Sequence, residues 1–383
     1  MANIILFSAN YLPNIGGVEK YTQNLSLELA SRGHKITIVT SNVFNLTEYE
    51  ILEKNIEIYR LPCINLLNGR FPVLKFWNKK HRELNKLISS NQYDLTIVNT
   101  RFYLHSLYGS ILGKKHSKKV IAIEHGSAHL TVNSKFWDFL GHIFEHTITF
   151  FLKRNIKDFY GVSSKCNDWL CHFNINAKGT LYNAINPDEI DFIKQDFYSN
   201  IINLEENSKV VSFVGRLVYE KGIIQLIDAI KIINTKYNRK DIHLLVAGDG
   251  PLYNKCNQMN VKNVHLLGKL DFTEVVKILS LSSIFCFPTF YPEGFPTSIL
   301  EAAYCKNYII IPPTAGTKEL LLNDSYGTIL SESPTPDEIA DAIIQIIDDE
   351  QKQTLACDQC YTRVLENFTW KKTADTVEKI LEN

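Results

Sequence analysis

The sequence lacks the features that would place it across a membrane or mark it for export. No stretch of its 383 residues approaches the ~20 consecutive apolar residues of a spanning helix. The apolar run at 4–7 is too short for the core of a signal peptide and has no basic leader. We therefore expect a cytoplasmic protein, with peripheral attachment to the inner face of the cell membrane left open.

Cysteine spacing typical of a zinc site is also missing. Cys357 and Cys360 form a lone C-x-x-C, without the second pair or the nearby histidines that such a site needs. Cys286 lies inside an apolar run, where cysteine packs as a small hydrophobic residue. We expect the eight cysteines to be reduced thiols.

The chain as a whole has no net charge, but its two halves carry opposite net charges. Residues 1–180 carry 22 basic and 13 acidic side chains, whereas residues 181–383 carry 19 and 28. A basic half favours an anionic partner such as a membrane surface, a phosphorylated lipid or a nucleic acid. The alternative is a random spread of surface lysines.

The order of predicted elements is that of two parallel-sheet domains, in keeping with the length of the chain. A strand at 3–8, a loop with Gly16 and Gly17, a helix at 18–32 closed by Gly33, and a strand at 35–40 form one βαβ unit. Further strands are predicted at 56–60, 94–98, 119–124, 158–162 and 179–182.

A polar, acidic stretch at 187–208 interrupts this alternation, and we interpret it as a link between domains. The pattern restarts with strands at 210–215, 242–247, 263–267, 284–287 and 308–311, with helices at 221–237, 251–258, 273–281 and 296–305 between them. Three more helices follow, at 336–348, 350–366 and 370–382. We expect two doubly wound Rossmann-like domains, at 1–186 and 209–367, facing across a cleft that suits two substrates.

The segment from Glu293 to Glu301 is the sharpest local motif. It follows a predicted buried strand and opens a helix, whose first backbone N–H groups and positive dipole end suit a diphosphate. The two carboxylates accept hydrogen bonds, so they can hold the hydroxyls of two sugar rings. The alternative is an acid that stabilises a helix start, plus a surface glutamate.

Two more strand ends carry candidate ligand-binding residues. Arg216 and Lys221 flank one turn after the strand at 210–215, where both can face an anionic group; the alternative is a solvated lysine and an arginine paired with Glu220. Gly16 and Gly17 let backbone approach a ligand closely, although the full G-x-G-x-x-G of a dinucleotide site is missing.

His125 directly follows the strand at 119–124, which places it at the edge where parallel sheets bind ligands. A lone histidine is otherwise a satisfied structural residue. Two segments rich in aromatic residues, 70–82 and 136–154, are candidates for a membrane interface, and the first also carries basic side chains. For 136–154 an ordinary core-facing helix is the alternative.

Taken together, the motifs resemble glycosyltransferase family 4, whose members are retaining, nucleotide-sugar-dependent enzymes with the GT-B fold. The resemblance covers nearly the whole chain and keeps the family's order, and its motifs are the following: Tyr11-x-Pro-x-x-Gly-Gly-Val-Glu, Arg32-Gly-His, Glu124-His-Gly, Gly215-Arg-x4-Lys-Gly, Ala247-Gly-Asp-Gly-Pro and Glu-x7-Glu at 293–301. The usual Gly-Gly before a later glutamate is Ala315-Gly316 here, and Pro296 stands where glycine is frequent. The last helix, at 368–383, resembles the one that crosses back onto the N-terminal domain.

The resemblance implies a role for each matching residue. Gly16 and Gly17 would bring backbone near the donor, and His125 would contact the transferred sugar. Arg216 and Lys221 would neutralise the diphosphate as it leaves. Hydroxyls of the donor sugar would be held by Glu293, the ribose by Glu301, and the sugar and phosphate by the backbone of Gly294, Phe295, Thr297 and Ser298.

The implied function is transfer of a hexose or N-acetylhexosamine from a nucleotide sugar, most simply UDP-linked, with no metal and no other cofactor. The basic N-terminal half suggests a lipid-linked glycan acceptor, as in the biosynthesis of O-antigen, capsule, lipopolysaccharide or exopolysaccharide in a bacterium, and no nucleic acid partner. The alternative is a non-catalytic GT-B protein that binds a nucleotide or a polysaccharide. A Rossmann oxidoreductase is disfavoured by the missing dinucleotide motif.

Overall fold

The chain folds into two compact units in a computed structural model that describes residues 1–14, 16–52, 55–67, 69–131, 134–195, 204–205, 207–314 and 316–382. The first unit comprises Met1–Asn183 together with Trp370–Asn383, and the second comprises Ala184–Thr369. Each is a Rossmann-like α/β unit built on a largely parallel sheet, as the sequence predicts.

The first unit contains an eight-stranded sheet and a separate hairpin. In the sheet the strand order is β10-β9-β8-β7-β1-β2-β4-β3, and β5 pairs with β6. The strands are β1 (Asn3–Phe7), β2 (Lys35–Ser41), β3 (Tyr49–Ile51), β4 (Ile56–Leu61), β5 (Cys63–Leu66), β6 (Phe71–Leu74), β7 (Tyr93–Asn99), β8 (Ser117–Glu124), β9 (Asp158–Gly161) and β10 (Gly179–Thr180).

Burial on both faces explains the apolar runs of the central strands. In β1, Ile5 lies opposite Thr37 of β2 and Thr96 of β7, and the side chains from Ile4 to Phe7 have no exposed surface. The helices of this unit are α1 (Gly17–Ser31), α2 (Lys79–Ser89), α3 (Leu104–His116), α4 (Lys135–Leu152), α5 (Ser164–Cys171) and, from the end of the chain, α14 (Trp370–Glu382).

The second unit has a six-stranded parallel sheet of order β13-β12-β11-β14-β15-β16. Its strands are β11 (Lys209–Val214), β12 (Ile242–Ala247), β13 (Val264–Gly268), β14 (Ile284–Cys286), β15 (Tyr308–Ile311) and β16 (Thr328–Ile329). Its helices are α6 (Pro187–Gln195), α7 (Ile223–Thr235), α8 (Tyr253–Met259), α9 (Phe272–Leu281), α10 (Thr297–Tyr304), α11 (Thr317–Leu320), α12 (Pro336–Ile347) and α13 (Glu350–Asn367).

Part of the segment interpreted as a link between domains is helical. Residues 187–195 form α6, with Pro187 at its start and Ile190 and Ile193 buried. Apolar positions at i and i+3 have helical spacing. The hydrogen bond from Tyr304 Oη to Asp191 Oδ2, at 2.7 Å, ties the helix to α10. Residues 196–203 and 206 of that segment lie outside the described residues.

The strand orders locate one switch point in each sheet, where successive strands leave the centre in opposite directions. In the first unit, β2 and β7 lie on the two sides of β1, and in the second, β12 and β14 lie on the two sides of β11. Ligands of open parallel sheets bind beyond the carboxyl ends of the strands at such points. None of the helices in the described parts of the chain is long and apolar enough to cross a lipid bilayer.

Candidate active site

In the second unit, three loops meet beyond the carboxyl ends of β11, β12 and β14. The Leu217 N–H donates to Asp249 O at 2.9 Å, and the Leu252 N–H donates back to Leu217 O at 3.1 Å. The Phe290 N–H donates to Glu220 O at 3.0 Å. These backbone bonds hold the loops that carry Arg216, Lys221 and Glu293 as one surface at the switch point of the sheet.

Two glycines permit this close approach of the loops. A Cβ atom at Gly248 would lie 1.9 Å from Gly215 O, and one at Gly222 would lie 2.2 Å from Pro288 O. Gly222 also has φ +73, the left-handed region that glycine adopts at little cost, and it connects a 3-10 turn at Tyr219–Lys221 to α7. The backbone conformation of Gly222 therefore sets the position of Lys221.

Lys221 and Glu293 form an ion pair in which the lysine ammonium donates to Glu293 Oε1. Their side chains are only 18% and 16% exposed, and the Lys221 ammonium also lies 5.0 Å from the centre of the Phe287 ring. Arg216, by contrast, is exposed and forms no ion pair with any residue that the structure describes. Both parts of the alternative for this turn are wrong, since Lys221 is mostly buried in an ion pair and Arg216 is not paired with Glu220.

Helix α10 begins one residue later than predicted. Pro296, with φ −64 and ψ 128, precedes the helix as its N-cap instead of lying in the first turn, because Thr297 is the first residue with helical geometry. No side chain caps this end. Glu301 follows one turn later and is 8% exposed, so it is a buried carboxylate and not a surface glutamate.

Phe295 anchors the loop between Glu293 and α10. Its ring is buried and lies 5.1 Å from the ring of Phe368, nearly perpendicular to it. Gly316, with φ +70, packs so closely that a Cβ atom there would lie 2.0 Å from Phe295 Cδ2. Gly294 is partly exposed beside this anchor, and Thr297 and Ser298 follow it at the helix start.

In the first unit, a chain of hydrogen bonds orients His125 at the end of β8. The Thr22 hydroxyl donates to Val18 O at 2.8 Å and accepts from Asn99 Nδ2 at 3.0 Å. Asn99 Oδ1 then faces His125 Nε2 at 3.0 Å. Because an amide oxygen only accepts, Nε2 carries the proton and Nδ1 keeps its lone pair.

His125 is a neutral ring in this environment. Burial lowers its pKa to about 3, and the ring packs edge-on against Tyr21 at 4.8 Å. A neutral imidazole with a free Nδ1 accepts a hydrogen bond and brings no positive charge. The arrangement suits contact with a sugar hydroxyl more than neutralisation of a phosphate.

A buried ion cluster supports the loop after β8. Glu124 Oε1 accepts from the backbone N–H groups of His125 and Gly126, at 3.1 and 2.9 Å. Arg101 Nε lies 2.9 Å from Glu124 Oε2, although the two are not aligned as a hydrogen bond. Burial raises the pKa of the Glu124 carboxyl, against the lowering influence of Arg101. Asn99, Arg101 and Glu124 are thus the residues that hold His125.

Gly16 and Gly17 lie where β1 leads into α1. Gly16 is the N-cap, and a Cβ atom there would lie 2.4 Å from Glu19 Oε2. Gly17 is the first helical residue, and a Cβ atom there would meet nothing within 4 Å. The helix start therefore presents open space at Gly17, beyond the switch point of the first sheet.

The predicted site residues form two groups, one in each unit. In the second unit, Lys221 and Glu293 are in contact, and Arg216, the loop 294–298 and Glu301 lie on the loops and helix that carry or follow them. Gly16, Gly17 and His125 lie at the carboxyl edge of the first sheet. Sequence reasoning missed Asn99 and Arg101. Their only signal is position, because Asn99 ends β7 beside His125 in the sheet order and Arg101 follows it.

Two family models match the chain, one for each half. Residues 15–189 match Glycosyltransferase Family 4, and residues 194–359 match Glycosyl transferases group 1. A glycosyltransferase of Methanocaldococcus jannaschii, itself uncharacterized, is 27% identical over 99% of this chain and 98% of its own. One subunit of human phosphatidylinositol N-acetylglucosaminyltransferase is 25% identical over 99% of this chain and 76% of its own.

Solved structures share the fold. Sucrose-phosphate synthase from Thermosynechococcus elongatus superposes with a TM-score of 0.77 at 18% identity, over 100% of this chain and 98% of its own. The Anabaena protein HepE, solved in complex with UDP and glucose, gives 0.71 at 16% identity over all of both chains. At these identities the likeness shows the fold alone, which is that of GT-B glycosyltransferases. The two family models, which together match most of the chain, establish that it belongs to glycosyltransferase family 4 and is a glycosyltransferase.

Proposed function

We propose that the protein transfers a hexose or an N-acetylhexosamine, with retention, from a nucleoside-diphosphate sugar to a lipid-linked glycan. One observation carries the donor half of this proposal. At the switch point of the second sheet, Lys221 pairs with the carboxylate of Glu293. The loop of Lys221 also carries the exposed Arg216, and the loop of Glu293 leads into α10. That combination suits an anionic diphosphate attached to a polyol.

The chemistry follows from where charge develops. As the bond between the anomeric carbon and the diphosphate breaks, negative charge grows on the phosphate oxygens. Arg216, Lys221 and the first N–H groups of α10 stabilise that charge, and fixed donors of this kind commonly supply several kcal/mol. These cations do what a magnesium ion does in other transferases, so we propose a metal-free transfer step.

The two carboxylates bind opposite ends of the donor. Glu293, in the loop, accepts from hydroxyls of the sugar, and the buried Glu301 accepts from the ribose. In the first unit, His125 accepts from a hydroxyl of the transferred sugar through Nδ1, the nitrogen that Asn99 leaves free. UDP is the favoured nucleotide because it is the ligand named for HepE, a protein of the same fold.

A screen of donors tests this half of the proposal. The purified protein is titrated with UDP, GDP and dTDP, and release of each nucleotide from its sugars is followed with and without added glycolipid. We expect one nucleotide, UDP, to bind and to be released from its sugar. Absence of binding by all three nucleotides would overturn the proposal.

The acceptor half rests on an exposed aromatic surface of the first unit. Its large apolar side chains are 40–69% exposed, and ring contact between Phe71 and Phe144, at 5.5 Å, joins the β5–β6 hairpin to α4. We define this aromatic surface by Leu66, Leu67, Phe76, Trp77, Phe136, Trp137, Phe139, Leu140 and Ile143.

Basic side chains border the aromatic surface, as at the interface of an anionic membrane. Exposed basic residues lie on the same elements, at Arg70 and Lys135, or on α2, which begins two residues after Trp77, at Lys79, Lys80 and Arg82. Aromatic rings at the headgroup level and cations toward the lipid phosphates are the two contributions that hold a peripheral protein at a bilayer. We therefore propose a membrane-bound glycolipid acceptor at the inner face of a bacterial membrane, in the assembly of a surface polysaccharide.

Vesicle sedimentation tests the membrane contact. The double variant Trp137→Ser/Phe139→Ser removes two exposed rings, and Phe192→Ser is the matched control because that ring is 72% exposed but lies on the second unit. We expect the wild type and the control to bind vesicles containing anionic lipid at low salt, and the double variant to bind several-fold less. Equal binding by all three proteins would contradict the proposal.

A further inference from the structure

Four histidines cluster in the first unit, away from the residues given a role in transfer. His129 lies in the loop after β8, His142 and His146 lie on α4, and His172 ends α5. The ligand nitrogens of His129, His146 and His172 all lie within 4.8 Å of one another. Three separate elements thus bring imidazole nitrogens to one point.

The closest pair already has the spacing of two ligands on one ion. His129 Nε2 and His172 Nε2 are 3.2 Å apart. Zinc–nitrogen bonds are about 2.0–2.1 Å long, which places two nitrogens of a tetrahedral site roughly 3.3 Å apart. His146 is exposed, so rotation of its side chain brings the third nitrogen into range.

A carboxylate orients the innermost ring as in known zinc sites. His129 Nδ1 lies 2.9 Å from Glu145 Oε2, and Glu145 Oε1 accepts from the Leu130 N–H at 3.0 Å. Because the carboxylate accepts, Nδ1 carries the proton and Nε2 presents its lone pair to the centre of the cluster. Histidines that bind metal usually donate their second nitrogen to such a carboxylate.

Aromatic packing holds the other rings. The ring of His172 stacks on Trp169, with centres 4.8 Å apart and planes 6° apart. The His142 ring stacks on His129 at 3.9 Å. The cluster is therefore ordered by its surroundings.

We propose that His129, His146 and His172 bind one divalent transition-metal ion of the zinc class. Imidazole nitrogens favour zinc, copper and nickel over magnesium or calcium, which take oxygen ligands. The ion joins the loop after β8 to α4 and α5. Since that loop starts at His125, the ion stabilises the segment that presents His125 but takes no part in the transfer chemistry. The inference does not depend on the identity of the donor or the acceptor.

Zinc titration of the full-length protein, purified without a histidine tag and treated with chelator, tests the site. A chromophoric chelator competes for the metal, and Trp169 fluorescence gives a second readout because this ring stacks on His172. We expect one equivalent of zinc per chain, a change in fluorescence and a higher Tm. Magnesium is expected to produce none of these.

The variant His146→Ala/His172→Ala removes two of the proposed ligands, and we expect little effect on folding because both side chains are exposed. The matched control, His243→Ala/His265→Ala, removes another close pair, whose nitrogens lie 3.0 Å apart in the second unit. Loss of one outer partner of a zinc ligand typically costs 10–100-fold in affinity, so loss of two ligands is expected to weaken binding by more than about 100-fold. The control is expected to bind as the wild type does. Equal affinity in wild type and ligand variant, no binding by the wild type, or loss of binding in the control would each overturn the proposal.

Discussion

Lys221 and Glu293 form an ion pair across the candidate donor site. The lysine follows β11 and the glutamate follows β14, so the pair bridges two loops that are 72 residues apart in sequence. In the proposed function, these groups bind different parts of the donor, the diphosphate and the sugar. Donor binding therefore exchanges a contact between the two residues for contacts with the ligand.

The substitution Glu293→Gln is expected to separate nucleotide binding from transfer. Removing the carboxylate leaves the Lys221 charge to the diphosphate. Free UDP is therefore expected to bind as well as it does to the wild type, or up to roughly fivefold better, because an ion pair near the surface contributes up to about 1 kcal/mol. Transfer is expected to fall about 10–100-fold, because a hydrogen bond to a charged group contributes about 1.5–3 kcal/mol. Calorimetry with UDP and steady-state transfer rates provide the two measurements.

A matched control for this prediction is Glu350→Gln, which alters an ion pair of the same unit, 3.7 Å from Lys209, at an 85% exposed side chain. Both measurements are expected to match the wild type. Weaker UDP binding in Glu293→Gln, with transfer unchanged, would refute the assigned roles.

The substitution Asn99→Leu is expected to lower the transfer rate through His125. It removes the acceptor at 3.0 Å from Nε2, so the ring loses its fixed tautomer and orientation. We expect a roughly tenfold lower kcat, in line with the loss of one buried hydrogen bond of about 1.5 kcal/mol, with little change in KM for the donor. Nitrogen NMR of the ring reports the cause directly, with Nε2 protonated in the wild type and mixed tautomers in the variant. A single unchanged tautomer in the variant would contradict this positioning role.

Gly316→Ala is expected to disturb the donor site through Phe295. Both Gly316 and Gly268 have φ near +70, where a side chain costs about 1–2 kcal/mol, but only at Gly316 would the new Cβ atom collide, 2.0 Å from Phe295 Cδ2. Gly268→Ala therefore controls for the backbone cost. We expect both variants to lose thermal stability and only Gly316→Ala to raise the KM for the donor several-fold. Equal KM values would show that Phe295 does not support the loop that holds Glu293.

The buried His105 is expected to make the protein less stable in acid. Burial lowers its pKa to about 3, whereas an unfolded chain holds histidine near 6.5. As the pH falls below about 6.5, His105 becomes protonated in the unfolded state, whereas in the folded state it stays neutral down to about pH 3. The stability that is present above pH 6.5 is therefore lost progressively between about pH 6.5 and pH 3. Near pH 5 this one residue costs about 2 kcal/mol.

The variant His105→Phe tests that relation, because a ring of similar shape keeps the packing against Phe7, at 5.8 Å between centres. Urea unfolding at pH 5 and pH 7.5 measures the difference in free energy of unfolding. We expect that difference to be smaller in the variant by about 2 kcal/mol. If the variant and the wild type show the same difference, protonation of His105 does not govern the acid response.

Local patterns in the sequence predict most strands and the start of the helix at the candidate donor site. The branched apolar runs at 242–247 and 308–311 predict β12 and β15 to the residue, and the glutamate motif predicts the start of α10 to within one residue. Periodicity works there because these strands are buried on both faces. It misses the β5–β6 hairpin, whose strands are only four residues long and of which β5 is largely exposed.

The sequence does not indicate which residues far apart along the chain are in contact. Nothing in the spacing of Lys221 and Glu293 predicts that they pair, nor that Asn99 sets the tautomer of His125. The histidine cluster is equally hidden, since 43 residues separate His129 from His172. Such contacts depend on the order of strands in the sheet and on helix packing, which local periodicity does not encode.

The central claim is that Arg216 and Lys221 stabilise a departing diphosphate. Its most direct measurement compares transfer from a nucleotide sugar by the wild type and by Arg216→Ala/Lys221→Ala, with Lys236→Ala, an exposed lysine of the same unit, as control. We expect the double variant to lose at least about 100-fold in kcat and the control to keep full activity, because one fixed donor in such a site commonly contributes 10²–10³-fold. Full transfer activity in the double variant would contradict the account.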